Sequence, residues 1–390
     1  MSDTNDNEEI TPIELDKPEF PESKNLIVHM PPRTGGVVGL GFAMLTAVGF
    51  LMLLTIAALG SQLRSPYAWF TGLVALLPYL SFLYLIWGFA IWTIFPDRKS
   101  IPILWVGGIV AMMVLWGPSW PRWFGQEEGT TIRVMEWNVQ RFWGKTRGGE
   151  EPHTCVAQAI ETVNPDIVSL LEVSKEDLDA LTALVPLRCI HRDYLDTGDE
   201  GKGGLAICTH NDLWQIETGG PQRYLDDDAW MYLFAELHSA DMRVNILSVH
   251  LQPYAFTTNF LRKTFLDFAQ GNVDRLQEMN QRGLNISKKQ GAHAAALLER
   301  VGRFQDPTVL AGDFNSTRDA ALHYQLRQSL VDTFERAGAG LGATVSMAGW
   351  LPLRVDYVYV TPSLDVRHAA VIPADCSDHR PVFSELVLGD

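Results

Sequence analysis

The chain has 390 residues, 47% of them apolar, and a formal charge of −15 at pH 7. That length can hold more than one folding unit, and the acid excess argues against a protein that grips duplex nucleic acid through a general basic face. Its four cysteines lack any CxxC or Cys/His spacing, so no zinc site is expected.

Residues 1–33 are polar and acidic, with scattered proline and no apolar period, which predicts a disordered acidic tail. A secretory signal would need a basic start and an early apolar run, and neither is present there. Three uncharged apolar runs follow, at about 36–59, 67–95 and 101–120. Each reaches the roughly 20 residues that a helix needs to cross a bilayer, so three transmembrane helices are expected within 34–120. Trp69, Trp87, Trp92, Trp105, Trp116 and Trp120 crowd this part, several near run ends where aromatic belts form. Arg33 precedes the first run and Arg98-Lys99 lies between the second and third, whereas Arg64 and Arg122 stand alone on the opposite side. That bias favours a cytoplasmic N-terminus, and three crossings then place everything after Trp120 outside the cytoplasm. The expectation is a multi-pass cell membrane protein with an extracytoplasmic domain. Residues 121–130 are a linker short enough to keep that domain near the bilayer.

From Thr131 the texture changes to short strands alternating with helical segments. Strands are expected at 132–139, 167–171, 205–208, 231–237, 244–250, 355–360 and 382–388, with another ending at Ala311. Helices are expected at 154–162, stopped by Asn164-Pro165, and at 292–301. This pattern predicts an α/β domain over 131–390. Cys189 and Cys208 are expected as two buried thiols, a bridge between them being the alternative.

Polar residues stand where several of these buried runs stop. Leu310-Ala-Gly-Asp-Phe-Asn closes one strand, with Gly312 expected to turn the chain and Asp313 and Asn315 two residues apart on one side. Alone, Gly-Asp-x-Asn reads as an Asx turn. It has partners, however: Asn138 after Glu136-Trp137, Glu172 after a buried run, His250 after another, Arg354 and Asp356 before a strand, and Asp378-His379 before the last one. Acids, amides and histidines gathered at strand ends suit metal-assisted attack of water on phosphorus. A hard cation takes carboxylate oxygens, the water needs a base, and the developing charge on phosphate needs donors.

Six segments, Glu136-Trp-Asn-Val, Leu171-Glu-Val, Val249-His-Leu, Gly312-Asp-Phe-Asn, Arg354-Val-Asp-Tyr and Ser377-Asp-His-Arg-Pro-Val, occur in this order across 131–390. In them the chain resembles the endonuclease/exonuclease/phosphatase superfamily, which includes pancreatic-type deoxyribonucleases, apurinic endonucleases, inositol polyphosphate 5-phosphatases and neutral sphingomyelinases. The resemblance implies a four-layer sandwich of two mixed β-sheets flanked by helices, with the site at one rim. It implies Mg²⁺ (or Mn²⁺) held by Glu172, with Asn138 and Asp378 beside it. Asp313 would orient or deprotonate water, Asn315 would hold a phosphate oxygen, and His379, oriented by Asp356, would contact phosphate or move a proton. His250 would be a second acid or phosphate donor, and Arg354 is read as a substrate contact. The family often has Asp two residues after the first-motif Asn; here that position is Gln140, which leaves one fewer charged ligand.

The layout of membrane segments before such a domain is similar to bacterial proteins associated with glycopeptide resistance. That resemblance implies a lipid-linked phosphate or pyrophosphate as substrate, with the bilayer as partner, and phospholipase C-like phosphodiesterase and extracytoplasmic nuclease as alternatives. A non-catalytic tethered binding module would predict loss of a principal site residue, and none is missing. Between His250 and the 292–301 helix, Phe256, Phe260, Leu261, Phe265 and Phe268 fall near helical spacing, beside Arg262 and Lys263. Two readings stay open: a helix packed on the domain, or a lid that meets the membrane and guides an anionic headgroup by Arg262 and Lys263. Asp226-Asp227-Asp228 is read as a solvated loop rather than a calcium site.

Overall fold

The computed structural model describes residues 129–143, 149, 151–194, 203–210, 212–226, 230–240, 242–254, 256–347 and 351–388. The expected acidic tail, the three spans and most of the 121–130 linker lie outside the described residues, as do Asp227 and Asp228. Among the described residues no helix is long and apolar enough to cross a membrane.

The first half runs β1 (Thr131–Asn138), α1 (Pro152–Val163), β2 (Ile167–Val173), α2 (Lys175–Thr182), β3 (Arg188–Asp193) and β4 (Gly204–Thr209). The second runs β5 (Gln215–Arg223), β6 (Met231–His238), β7 (Arg243–His250), α3 (Thr258–Ala269), α4 (Asp274–Val301), β8 (Thr308–Asp313), α5 (Ala321–Leu326), β9 (Val331–Asp332) and α6 (Thr333–Ala337). It continues through a small hairpin, β10 (Val345–Met347) and β11 (Leu351–Leu353), to β12 (Asp356–Val360). β13 (Leu364–Val371) and β14 (Val382–Leu388) then return to the first sheet, whose order is β13-β14-β1-β2-β4-β3; the second is β5-β6-β7-β8-β12-β9.

Residue parity builds the layers. In β1, Ile132 and Val134 face a core shared with Val244, Ile246, Val309, Ala311, Val358 and Val360 of the other sheet. Met135 and Trp137 face outward onto Val156 and Ile160 of α1 and Leu178 and Leu181 of α2. On the far side, Leu310, Tyr357 and Tyr359 pack under Ala294 and Leu297 of α4 and Leu322 of α5. Two mixed sheets are thus flanked by helices, as expected. α1 begins with Pro152 after Glu151, whose carboxylate accepts from the Thr154 N–H, and ends at Asn164 in the left-handed conformation before Pro165.

The topology explains why the motifs meet. β1 and β2 are parallel, as are β7 and β8, so Asn138, Glu172, His250 and Asp313 all stand at strand C-terminal ends on one rim. β12 and β14 run antiparallel to their neighbours, so Asp356 and His379 enter from that same rim. Asn138, His250, Asp313 and Asp356 share the parity of the apolar residues that fill the space between the sheets. The site is the polar end of the core. Gly312 does not turn the chain; it lies within β8 opposite Val249, where a Cβ would come within 1.8 Å of the Val249 carbonyl oxygen. Only glycine lets the two parallel strands pair there.

Two disulfides close the domain. Cys189–Cys208 joins paired residues of β3 and β4, so the expected free thiols are corrected to a bridge: paired in register, the two strands bring the sulfurs together. Cys155–Cys376 joins α1 to the loop just before Ser377-Asp378-His379 across 221 residues of sequence, a pairing that spacing alone did not reveal. Replacing both Cys155 and Cys376 with Ser lowers the unfolding free energy by about 2–4 kcal/mol in chemical denaturation.

Candidate active site

Asn138 is the joint between the sheets. Its side-chain N–H₂ donates to Glu172 Oε1 at 3.1 Å and to Asp313 Oδ2 at 3.3 Å, while its Oδ1 accepts from the Gln140 backbone N–H at 3.0 Å. Glu172 reaches this place by a local device. Leu171 and Val173 pair with β4 on either side of a register shift, and Glu172 between them has φ 55°. It is the bulge residue, turned from the helix-facing side of β2 to the rim. Gly203, at φ +85°, permits this, since a Cβ there would lie 2.8 Å from the Glu172 carbonyl carbon.

Two histidines flank Asp313. His250 Nε2 lies 3.7 Å from Asp313 Oδ2 and 3.9 Å from Glu172 Oε1. The Tyr194 hydroxyl accepts from the Glu172 backbone N–H at 3.3 Å and lies 2.6 Å from His250 Nδ1. The Glu172 and Asp313 carboxylates facing Nε2 favour the imidazole hydrogen there, with the Tyr194 hydroxyl donating to Nδ1. Burial pulls the His250 pKa below its ordinary value, partly opposed by Glu172. His250 is therefore a neutral donor. His379 Nδ1 donates to Asp356 at 2.9 and 3.0 Å, and its Nε2 lies 3.9 Å from Asp313 Oδ2. Burial works against its charge, but the Asp356 carboxylate, by charge and hydrogen bond, lifts its pKa to about 10. His379 is an imidazolium at neutral pH. Burial and the Asp356 charge push Asp313 up to about 8, against the pull of His379.

The His379 loop is tied to β1 at three points. Trp137 Nε1–H donates to the His379 carbonyl at 3.0 Å, Ser377 Oγ donates to the Asn138 carbonyl at 2.8 Å, and the His379 N–H donates to Ser377 Oγ at 3.2 Å. Asp378 is raised by burial despite the pull of His379, and the Glu172 charge adds to that rise. Asn315, at φ 50°, donates its backbone N–H to Asp313 Oδ1 at 2.7 Å and its side-chain N–H₂ to the Leu251 carbonyl at 2.8 Å. Its amide hydrogens thus hold the end of β7.

Three expected substrate contacts stand elsewhere. Arg354 is buried, paired with Asp332 and lying 4.3 Å over the Tyr357 ring, so the expectation that it meets substrate is corrected. The reason is local: Arg354 precedes β12, and with its guanidinium engaged by Asp332 it does not share the side of Asp356. Arg354→Met should destabilise the fold by about 3–5 kcal/mol by leaving Asp332 buried and unpaired, as read by thermal denaturation with metal affinity unchanged. Arg262 and Lys263 are exposed on α3.

Two residues of the site escaped the sequence reading. Tyr194 carries no signal beyond an aromatic at the end of a strand. Glu136 had one: a charged residue within an otherwise apolar run. It is fully buried between the sheets, neither carboxyl oxygen has a hydrogen-bond partner, and burial with the charges of Asp356 and Asp313 raises its pKa far above the ordinary range. It is an acid under the site that holds its proton more tightly than an ordinary glutamic acid does.

Asp313, Asp356 and His379 each bring a ligand atom within 4.8 Å of the others. A cation among these three would oppose the imidazolium and compete for the Asp356–His379 bond, so the side of Glu172, Asn138 and Asp378 is the better seat. Those residues offer carboxylate and amide oxygens, the donor chemistry of a hard divalent cation, and Asn138 Oδ1 keeps a lone pair beyond its bond to Gln140.

The sequence profile of the endonuclease/exonuclease/phosphatase family matches residues 135–379. The chain belongs to that family. Endonuclease/exonuclease/phosphatase enzymes are divalent-metal-dependent phosphoesterases, phosphatases and nucleases, and this chain is accordingly a hydrolase of phosphoric ester bonds. Among solved structures it is similar to a conserved protein of unknown function from Enterococcus faecalis V583, at 17% identity and TM-score 0.50 over 66% of this chain and 100% of that one. It is also similar to family proteins from Bacteroides thetaiotaomicron (18%, TM-score 0.50, 68% of this chain and 97% of that one) and Bacteroides vulgatus (16%, TM-score 0.50, 67% and 100%). At these identities the likeness shows the fold. No curated protein matches the chain.

Proposed function

We propose that the chain is a membrane-anchored, Mg²⁺-dependent phosphoesterase that hydrolyses a phosphate ester or pyrophosphate of a lipid-linked substrate at the outer membrane surface. The observation that carries the chemistry is the convergence of Glu172, Asn138, His250, Asp313, Asp356 and His379 on one rim. The lipid reading is supported by the three uncharged runs that end just before the domain. Two disulfides support an oxidising, extracytoplasmic setting. The domain's acid excess disfavours a nuclease.

A divalent cation on Glu172, Asn138 and Asp378 would supply positive charge to the phosphate oxygens when bound. The chain's own groups do the rest. The Asp313 carboxylate takes a proton from water as the water oxygen attacks phosphorus. His379 Nε2–H, held charged by Asp356, donates to a phosphate oxygen as negative charge grows there. His250 Nε2–H is a second donor, fixed by Tyr194. The P–O bond to the leaving group then breaks, and the leaving oxygen takes a proton from His379 or solvent.

The rate–pH profile is expected to be a bell set above neutrality. Its acid limb follows loss of the Asp313 proton, near 8 without a cation and lower with one, and its alkaline limb follows loss of the His379 proton, near 10. Asp356→Asn removes what lifts His379, so the alkaline limb moves to lower pH; an unmoved limb would assign it to another group.

The substrate is tested with the purified full chain and Mg²⁺ on polyprenyl pyrophosphate, sphingomyelin, phosphatidyl substrates and plasmid DNA. Turnover confined to the polyprenyl substrate supports the proposal, and turnover confined to DNA contradicts it. A reporter fused after Asp390 that is active only in the cytoplasm would overturn the orientation.

A further inference from the structure

Of the ten large hydrophobic side chains exposed among the described residues, four are Phe265, Leu266, Phe268 and Val273, on α3 or just after it. α3 is turned against its composition. The face toward the domain carries Phe260, the buried Thr264 and Asp267, which accepts from Arg275 Nε at 2.7 Å. The outward face carries Arg262, Lys263, Phe265 at 70% exposure, Leu266 and Phe268 at 56%. A helix kept for packing would point these phenylalanines inward.

α3 is the first helix after the rim residue His250. It follows His250 by a short loop in which Tyr254 stacks on Phe256 and Phe256 on Phe260, both at 5.8 Å, and Arg282 of α4 lies 5.1 Å over Phe260. The 121–130 linker joins the opposite end of the sandwich, at Thr131, roughly 25 Å along β1 from Asn138. Fully extended, that linker reaches about 35 Å, enough for the domain to lie over with its rim against a bilayer.

We propose that the outward face of α3 inserts into the bilayer interface, Phe265, Leu266 and Phe268 below the headgroups and Arg262 and Lys263 at the level of lipid phosphate. This rests on the reading of a lipid-linked substrate and deepens it: α3 lays the domain on its side and opens the rim to headgroups. The bilayer is favoured as occupant by three uncharged runs ending within linker reach, and by two cations beside the apolar patch in an otherwise acidic domain.

The test uses the full chain with Phe265→Cys, whose four native cysteines are all in disulfides, labelled with an environment-sensitive dye. In vesicles of phosphatidylcholine and phosphatidylglycerol, the dye should be quenched by a quencher on the lipid acyl chain. An unquenched, water-like dye would overturn the proposal, as would efficient Phe265→Cys cross-linking between copies in detergent, which would make the face a contact between chains. Because the dye is read without substrate, the result stands even if the chain hydrolyses no lipid. As a second readout, Phe265→Glu/Leu266→Glu/Phe268→Glu should lower turnover of a lipid substrate in vesicles about tenfold, with a soluble phosphate ester hydrolysed within about twofold of the parent rate. Equal losses on both substrates would contradict insertion.

Discussion

His379→Gln should lower turnover of a phosphate ester by about a thousandfold, with little change in KM. The imidazolium is a full positive charge that the chain itself aims at Asp313, and Asp356 keeps it charged by bonding Nδ1 at 2.9 Å. A glutamine can donate from the same place but carries no charge and no transferable proton, so the loss falls on the transition state rather than on binding. The substitution also leaves Asp356 buried without its cation, and a lower melting temperature is expected alongside. His379→Lys separates the two effects, since it restores a positive charge without the ring's geometry. It should recover stability while leaving most of the rate lost.

Glu172→Gly should abolish metal-dependent turnover and leave the protein at least as stable, by up to about 1 kcal/mol. Glu172 holds φ 55°, a conformation that costs a side-chain-bearing residue energy and glycine none. It also presses a negative charge toward Asp378, whose pKa burial raises and the Glu172 charge raises further. Removing it relieves both backbone strain and charge repulsion, while the proposed cation site would lose its principal carboxylate. Even partners of metal ligands cost about 10–100-fold when removed, so the ligand itself should cost more. A Glu172→Gly protein that is markedly less stable would mean the bulge is held by the side chain rather than by the backbone around Gly203.

Much of the site was legible because strands announce themselves. Asn138, His250, Asp313 and Asp356 each follow or precede an apolar run, and period-2 parity puts them on the core side once the sheets stack. The four-layer fold and the rim position came through the family resemblance in six ordered segments, since pairing order across 131–390 is set by contacts far apart in sequence. Other features were hidden for definable reasons. β3, β5 and β13 are half-exposed edge or near-edge strands with mixed patterns, such as Arg188-Cys-Ile-His-Arg-Asp. The Cys155–Cys376 bridge spans the two ends of the domain. Two-residue spacing misplaces Arg354 because strand parity does not extend to a residue two positions before β12 begins at Asp356. The helix before β8 proved to run from Asp274 rather than from 292, because its first half has a polar surface. Glu136 lay inside a recognised motif yet went unread, its burial decided by the opposite sheet.

The central claim is a divalent cation on the Glu172 side of the cluster with the Asp356–His379 pair acting beside it. It is tested most directly by stripping the purified full chain with EDTA and titrating Mg²⁺ back while following hydrolysis of a soluble phosphate ester. Activity should vanish on stripping and return with Mg²⁺; Glu172→Gln should need far more Mg²⁺ for its residual rate, and Asp356→Asn should stay slow at saturating Mg²⁺. Turnover that persists in EDTA, or a Glu172→Gln protein with the parent's Mg²⁺ dependence, would contradict the account.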